Sequence, residues 1–277
     1  MKKNERAAAI VRTIVVSLIA VLFVVPLVWM VLSSLKTAPE VFARPFHWLP
    51  ARVQWQNYAT VWMNEEASML RAFANTLYIA LFSIIGQMFI SSLAAYSFAK
   101  INFQGKQVVF MLFLSSMMVP SQLTIIPRFM LFKTIGLYNN LWAIILPAFF
   151  GATSIFMLRQ FYMGLPNDLI EAAKIDGAGH LRIFLRIMLP LTKAALMSLI
   201  ILAFISSWNE YMAPLIFLVK KELYTVSQNI QWYMLDEFKE HNLTMAAATS
   251  AIVPVVILFI VGQKYFVEGI ATSGVKG

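Results

Sequence analysis

The sequence predicts an all-α integral membrane fold with six transmembrane helices. Three observations carry that expectation. The 277 residues are 60% hydrophobic and only 13% charged, whereas a soluble domain of this length needs a far more charged surface. Residues free of Lys, Arg, Asp and Glu gather into six long stretches. Each stretch approaches or exceeds the ~20 residues that a helix rising about 1.5 Å per residue needs to span a bilayer.

The first stretch, Thr13–Leu35, follows Lys2 and Lys3 and could pass for a signal peptide, but it is long enough to span and lacks a small-residue cleavage site. It is read as a retained helix. The others are Ala72–Ala99, Gln107–Pro127, Thr134–Leu158, Ala194–Val219 (interrupted by Glu210) and His241–Gln263. Pro26, Pro120, Pro127, Pro147, Pro214 and Pro254 lie within or beside the spans, and packing kinks are the preferred reading over hinges. With no internal repeat and no linker, residues 1–277 read as a single transmembrane domain.

Sidedness follows from charge. With both termini in the cytoplasm, segments 1–12, 100–106, 159–193 and 264–277 hold thirteen Lys and Arg, against nine in 36–71, 128–133 and 220–240. The net charge of +9 is scattered between apolar spans and forms no basic stripe, which argues against nucleic acid as a partner. The chain has no cysteine, so disulfides and thiolate chemistry are excluded, and His47, His180 and His241 lie too far apart for metal-ligand spacing.

The cytoplasmic loop 164–193 is unusually polar for a chain of this kind. Pro166, Asn167 and Asp168 read as a helix start, with Glu171 near the positive end of its dipole. Leu169, Ala172, Ala173 and Asp176 share one face, kept low by the two alanines so that another surface can approach. Gly177 and Gly179 are expected to end this helix through the left-handed conformation open to glycine. A second helix follows, with Leu181, Phe184, Leu185 and Met188 as its apolar face and Arg182, Arg186 and Lys193 on another, suited to lying at the headgroup level.

Glu-Ala-Ala, three residues, Gly, nine residues, Ile-x-Leu-Pro is the pattern formed by Glu171, Ala172, Ala173, Gly177, Ile187, Leu189 and Pro190. It resembles the cytoplasmic loop of binding-protein-dependent ABC importer permeases. The likeness extends over nearly the whole chain: Ser33-Ser34-Leu35-Lys36, Asn75-Thr76, Ala94 to Lys100, Arg159-Gln160-Phe161-Tyr162, Trp208-Asn209-Glu210-Tyr211, Gln263 to Phe266 and Gly274 to Gly277 all look like family signatures in order. It is most specific to the smaller, six-span permease subunit of carbohydrate importers. Gly179 and His180 depart from the family's commoner small or polar residues.

The resemblance implies a type I ABC importer permease fold in the inner membrane, with the loop as a coupling helix. It implies as partners a second permease subunit, a cytoplasmic ATPase dimer that carries ATP and Mg, an extracytoplasmic solute-binding protein, and a carbohydrate as substrate. Glu171, Ala172, Ala173, Asp176 and Gly177 are then the ATPase-docking residues, with Glu171 pairing with a basic residue of the ATPase and Asp168 and the tail near Lys276 as weaker contacts. No cofactor is expected on this chain, which lacks a P-loop and is not an enzyme. A non-sugar solute such as a polyol or glycerol phosphate is the alternative. A secondary transporter is disfavoured because no constellation of coupling-ion residues appears.

Glu210 sits deep in the fifth stretch, where an ionisable group faces a cavity or a partner. With Trp208, Asn209 and Tyr211 it forms a candidate translocation path, because aromatic faces stack on sugar rings while amides and carboxylates bond hydroxyls. A structural pairing with a neighbouring helix or subunit is the equal alternative. Trp48, Trp55 and Trp62 recur every seven residues and read as an interfacial belt or packing in preference to a binding-protein surface. The outer segment Lys220–Asn242 has room for receptor docking.

Overall fold

The computed structural model describes residues 2–235 and 240–274, with side chains described for 8–234 and 240–263. Among these residues the regular structure is helical and no strand occurs. The elements are α1 (Lys2–Ser34), α2 (Ala38–Val41), α3 (Gln56–Met63), α4 (Met69–Lys100), α5 (Lys106–Ser115), α6 (Ser121–Thr134), α7 (Trp142–Ala148) and α8 (Ala152–Met163). They continue with α9 (Asp168–Ile175), α10 (His180–Ile183), α11 (Leu189–Leu191), α12 (Lys193–Trp208), α13 (Met212–Phe217), α14 (Val226–Leu235) and α15 (His241–Gly274).

Among the described residues four helical stretches are long and apolar enough to cross a membrane: Ala8–Ser34, Met69–Lys100, Trp142–Gly164 and His241–Gln263. Two bent pairs, Lys106–Met118 with Ser121–Thr134 and His180–Leu191 with Lys193–Trp208, bring the number to as many as six if each pair is one span. The third stretch is therefore not the straight span expected over Gln107–Pro127: it turns by 95° between its halves. Pro120 explains the break, since it has no N–H and drives Val119 out of the helical region, to φ −84°, ψ 114°. The fourth lies at 142–164 instead of 134–158, because left-handed Gly136 (φ 77°) and Asn139 (φ 57°) turn the chain after α6. The fifth stops at Trp208, well short of Val219, and resumes as the short α13.

The chain forms two compact units. One comprises residues 1–70 and 229–253. Here Asn57 joins the end of α1 to α15, donating to the carbonyls of Ser34 (2.8 Å) and Lys36 (2.9 Å) and accepting from Asn242 Nδ2 (3.1 Å). Tyr233 donates to the Ala67 carbonyl at 3.1 Å, and Trp62 Nε1 donates to Ser250 Oγ at 3.1 Å. Trp62 thus has a packing role, while Trp48 and Trp55 are exposed.

The other unit comprises residues 71–228 and 254–277. Two apolar clusters lie along α4. Met88, Ala95 and Tyr96 pack with Leu158, Tyr162, Phe184 and Leu199, and Ile79 packs with Phe132, Ile144 and Phe217. Ser83 and Gln87 fall between these clusters, where α4 changes from one core to the other.

Candidate functional site

The polar turn is built from α9 outward. Its buried side is Ile170 (5% exposed) and Ala173 (8% exposed), which join the cluster of Tyr96, Leu158 and Phe184. Ala173 is therefore not on the open face where the sequence placed it beside Ala172. Its 100°-per-residue phase matches that of Ile170, and the chain's own core takes it. Glu171, Ala172 and Asp176 are exposed, as are Asp168 and Ile175, the last at 87%.

The C-terminus of α9 is a Schellman motif. Gly177 N–H bonds the Lys174 carbonyl at 3.0 Å and Ala178 N–H bonds the Ala173 carbonyl at 2.9 Å. Gly177 adopts φ 77°, with open space where a β-carbon would project. Gly179, expected to share that conformation, is instead extended (φ −73°, ψ 161°) as the residue preceding α10, where any side chain is tolerated. In the second helix a π turn over Phe184–Met188 shifts the face. Ile183, Phe184 and Met188 are buried, whereas Leu181 and Leu185 are exposed beside Arg182 and Arg186, so the four residues expected to share one apolar face are divided between the core and the surface. The chain then bends by 76° into α12, which removes Lys193 from any continuous helical stripe.

Residues at the end of α4 hold this turn from behind. Lys100 Nζ donates to the Leu165 carbonyl and to Asn167 Oδ1, each at 2.7 Å, so the Asn167 side chain is engaged there and does not cap α9. Tyr96 OH lies 3.2 Å from His180 Nδ1, and Arg159 Nε donates to the Phe98 carbonyl at 3.3 Å with its guanidinium over the Phe110 ring. In the sequence Tyr96 and Lys100 stood out only as members of the Ala94–Lys100 run that closes the second stretch, with no sign that they hold the turn.

The second constellation comes apart. Trp208 is buried, stacked on Phe204 and edge-on to Phe73, and is a packing residue. Asn209 turns its amide back to the Ile205 carbonyl at 2.8 Å. Neither these two nor Tyr211 lines a cavity with Glu210. Glu210 does line one, of about 420 Å³, and its Oε1 accepts from the Ala213 N–H at 3.0 Å, at the start of α13. The same cavity is walled by Ser83 and Gln87 of α4, Ser121 and Arg128 of α6, and Ser206 of α12. Reading each span separately missed these partners. The available signal was a polar residue recurring at helical spacing within apolar runs: Ser83 and Gln87, Ser121 and Arg128, Ser206 and Glu210. Lys276 lies outside the described residues, as do 236–239 of the proposed outer docking segment.

Helices of membrane-crossing length around a polar cavity, joined to an exposed polar turn, define a membrane transport protein. Residues 87–272 match the family described as binding-protein-dependent transport system inner membrane component, and the chain belongs to that family. It is 33% identical over 267 residues to the arabinooligosaccharides transport system permease protein AraQ of Bacillus subtilis, covering 96% of this chain and 95% of that one. It is 29% identical to the diacetylchitobiose uptake system permease protein NgcG of Streptomyces coelicolor (94% and 86% covered). It is also 29% identical to the sn-glycerol-3-phosphate transport system permease protein UgpE of Pectobacterium atrosepticum (94% of each covered). The fold matches that in a crystal structure of a bacterial ABC transporter involved in import of the acidic polysaccharide alginate, with TM-score 0.84 and 23% identity over 95% of this chain and 98% of that one. The chain is thus an inner-membrane ABC importer permease subunit with the type I fold.

Proposed function

We propose that this subunit forms half of the translocation path of an ATP-driven carbohydrate importer and receives ATPase closure through the Glu171–Pro190 loop. The observation that carries the proposal is the division of labour in α9. Ile170 and Ala173 fix it to the chain, while Glu171, Ala172 and Ile175 are exposed on the opposite side. An isoleucine at 87% exposure beside a carboxylate on a rigidly ended helix suits a protein surface that buries both.

In this reading the turn and both termini face the cytoplasm, as the thirteen-to-nine basic bias favours. An ATPase dimer holds ATP and Mg, a second permease subunit completes the path, and a solute-binding protein delivers sugar from outside. Glu171 pairs with a basic residue of the ATPase, and Gly177 permits the turn behind it. The arabinooligosaccharide and diacetylchitobiose relatives support a sugar as the solute. The likeness to the glycerol-3-phosphate permease keeps that anion as a second reading.

The test is to co-express the chain with its ATPase and second permease, purify the complex, and measure ATP-driven uptake of arabinotriose and of glycerol 3-phosphate with the cognate binding protein. Co-isolation with an ATPase and uptake of the neutral sugar support the proposal. Uptake driven by protons or sodium through this chain alone defeats it.

A further inference from the structure

Ser83 is only 3% exposed, yet its Oγ has no hydrogen-bond partner, and the same is true of Arg128 Nε. Both residues line the 420 Å³ cavity. Buried polar atoms are bonded in the great majority of cases, so orphaned donors on a cavity wall point to a partner held within it. On the same helix Thr76 donates to the Ala72 carbonyl at 2.8 Å and Ser92 to the Met88 carbonyl at 2.6 Å, while Ser91 Oγ, outside the cavity, is buried without a partner, so it is the placement of Ser83 and Arg128 on one cavity wall that carries the argument. Ser83 makes no such local bond. The volume falls at the lower end of the ~300–1,000 Å³ typical of small-molecule sites.

We propose that this cavity is a solute subsite belonging to this subunit, and that it takes a neutral polyhydroxylated ring, excluding anionic sugars. The proposal rests on the carbohydrate-importer reading above. Its chemistry is a mixed donor–acceptor wall. Serine hydroxyls donate and accept, the Arg128 guanidinium only donates, and an ionised Glu210 only accepts. A sugar hydroxyl can satisfy either kind of partner, whereas a carboxylate or phosphate can serve only the donors.

Geometry supplies the charge filter. Glu210 is tied to the Ala213 N–H and cannot swing away from an approaching anion without breaking that bond. Arg128 is likewise seated over the Phe217 ring, 5.0 Å from its centroid, and meets an approaching cation. Ile84, Ile125 and Phe150 add apolar surface for the C–H face of a ring. Gly151 completes the wall: a β-carbon there would run into the Gln87 amide, which crosses to donate to Ser154 Oγ at 3.0 Å.

The absence of native cysteine makes the test clean, because a single introduced thiol is then the only one in this subunit. Ser83→Cys, Ser206→Cys and, as a control, Met63→Cys (a position 81% exposed) are placed one at a time in the reconstituted complex. Modification by the neutral reagent methyl methanethiosulfonate is timed with saturating arabinotriose or trigalacturonate, and detected by the mass of this chain. Arabinotriose is expected to slow labelling at 83 and 206 by about tenfold while leaving position 63 unchanged, and trigalacturonate to protect neither. Glu210→Gln is expected to let trigalacturonate protect both. If wild-type complex takes up arabinotriose with ATP but neither thiol is protected, the cavity holds only water and the subsite is overturned. Equal protection by the two probes overturns the charge filter. Failure of wild-type uptake and of ATPase co-isolation instead removes the importer reading, and the subsite with it.

Discussion

The Asp168–Arg182 turn and the cavity along α4 treat polar atoms in opposite ways. On the turn, carboxylates and basic groups are exposed, and the chain's own hydrogen bonds close the helix end and anchor its base. Around the cavity, Ser83 Oγ and Arg128 Nε are enclosed without partners. A surface with satisfied backbone and exposed side chains suits contact with another protein. A wall with unsatisfied buried atoms suits a small solute that passes through. One helix carries both, since Gln87 and Tyr96 are about 13 Å apart along α4 at helical rise. A single helix thus runs from the cavity to the turn, and Lys100 at its end is hydrogen-bonded to the turn's Leu165 and Asn167.

The largest predicted effect is for Gly177→Asp. A charged side chain at φ 77° opposes the Schellman geometry and should abolish ATP-driven uptake, while the chain still inserts and pairs with its partner permease. Wild-type uptake in that variant would break the distinction drawn for the turn. Next, Ile170→Ala and Ile175→Ala should separate folding from docking on one short helix. Truncating buried Ile170 should lower stability by about 2–5 kcal/mol, and truncating exposed Ile175 by no more than ~0.5 kcal/mol, read by thermal denaturation of the complex. Only the second should weaken ATPase retention out of proportion to its stability. Gly86→Ala sharpens the cavity side, because a β-carbon there meets the Phe149 ring. It should cost about 1–3 kcal/mol, measured the same way. Lys100→Met should have the smallest effect on stability, yet raise ATP hydrolysed per sugar imported, as measured in proteoliposomes. An unchanged ratio would remove Lys100 from the link.

Much of the fold was legible because apolar length is a one-dimensional property: α1, α4 and α15 cover the stretches read from charge-free runs. The breaks were less legible. Pro120 and Pro147 look alike as letters, yet Pro120 sits at a 95° turn, whereas Pro147 lies one residue before the end of α7 in a stretch that continues through α8 without so sharp a bend. In the turn, Gly177 was readable from its place after an amphipathic helix. Ala173 was not, because an alanine face is low whether it meets a partner or the protein's own core. The cavity was hardest to see. Ser83, Arg128 and Glu210 belong to separate segments, and Trp208-Asn209-Glu210-Tyr211 reads as one group only until the chain's turn at Asn209 sends its members to different neighbours.

Helix α1 meets lipid along most of its length, since none of its most hydrophobic window is buried. Its charge-free part, Thr13–Ser34, measures about 33 Å at helical rise, close to a hydrocarbon layer of about 30 Å. A helix matched to the bilayer in this way leans in a thinner membrane and draws lipid around it in a thicker one, each at a fraction of a kcal/mol per Å. Bilayer thickness is thus a variable acting on α1, independently of ATP and sugar.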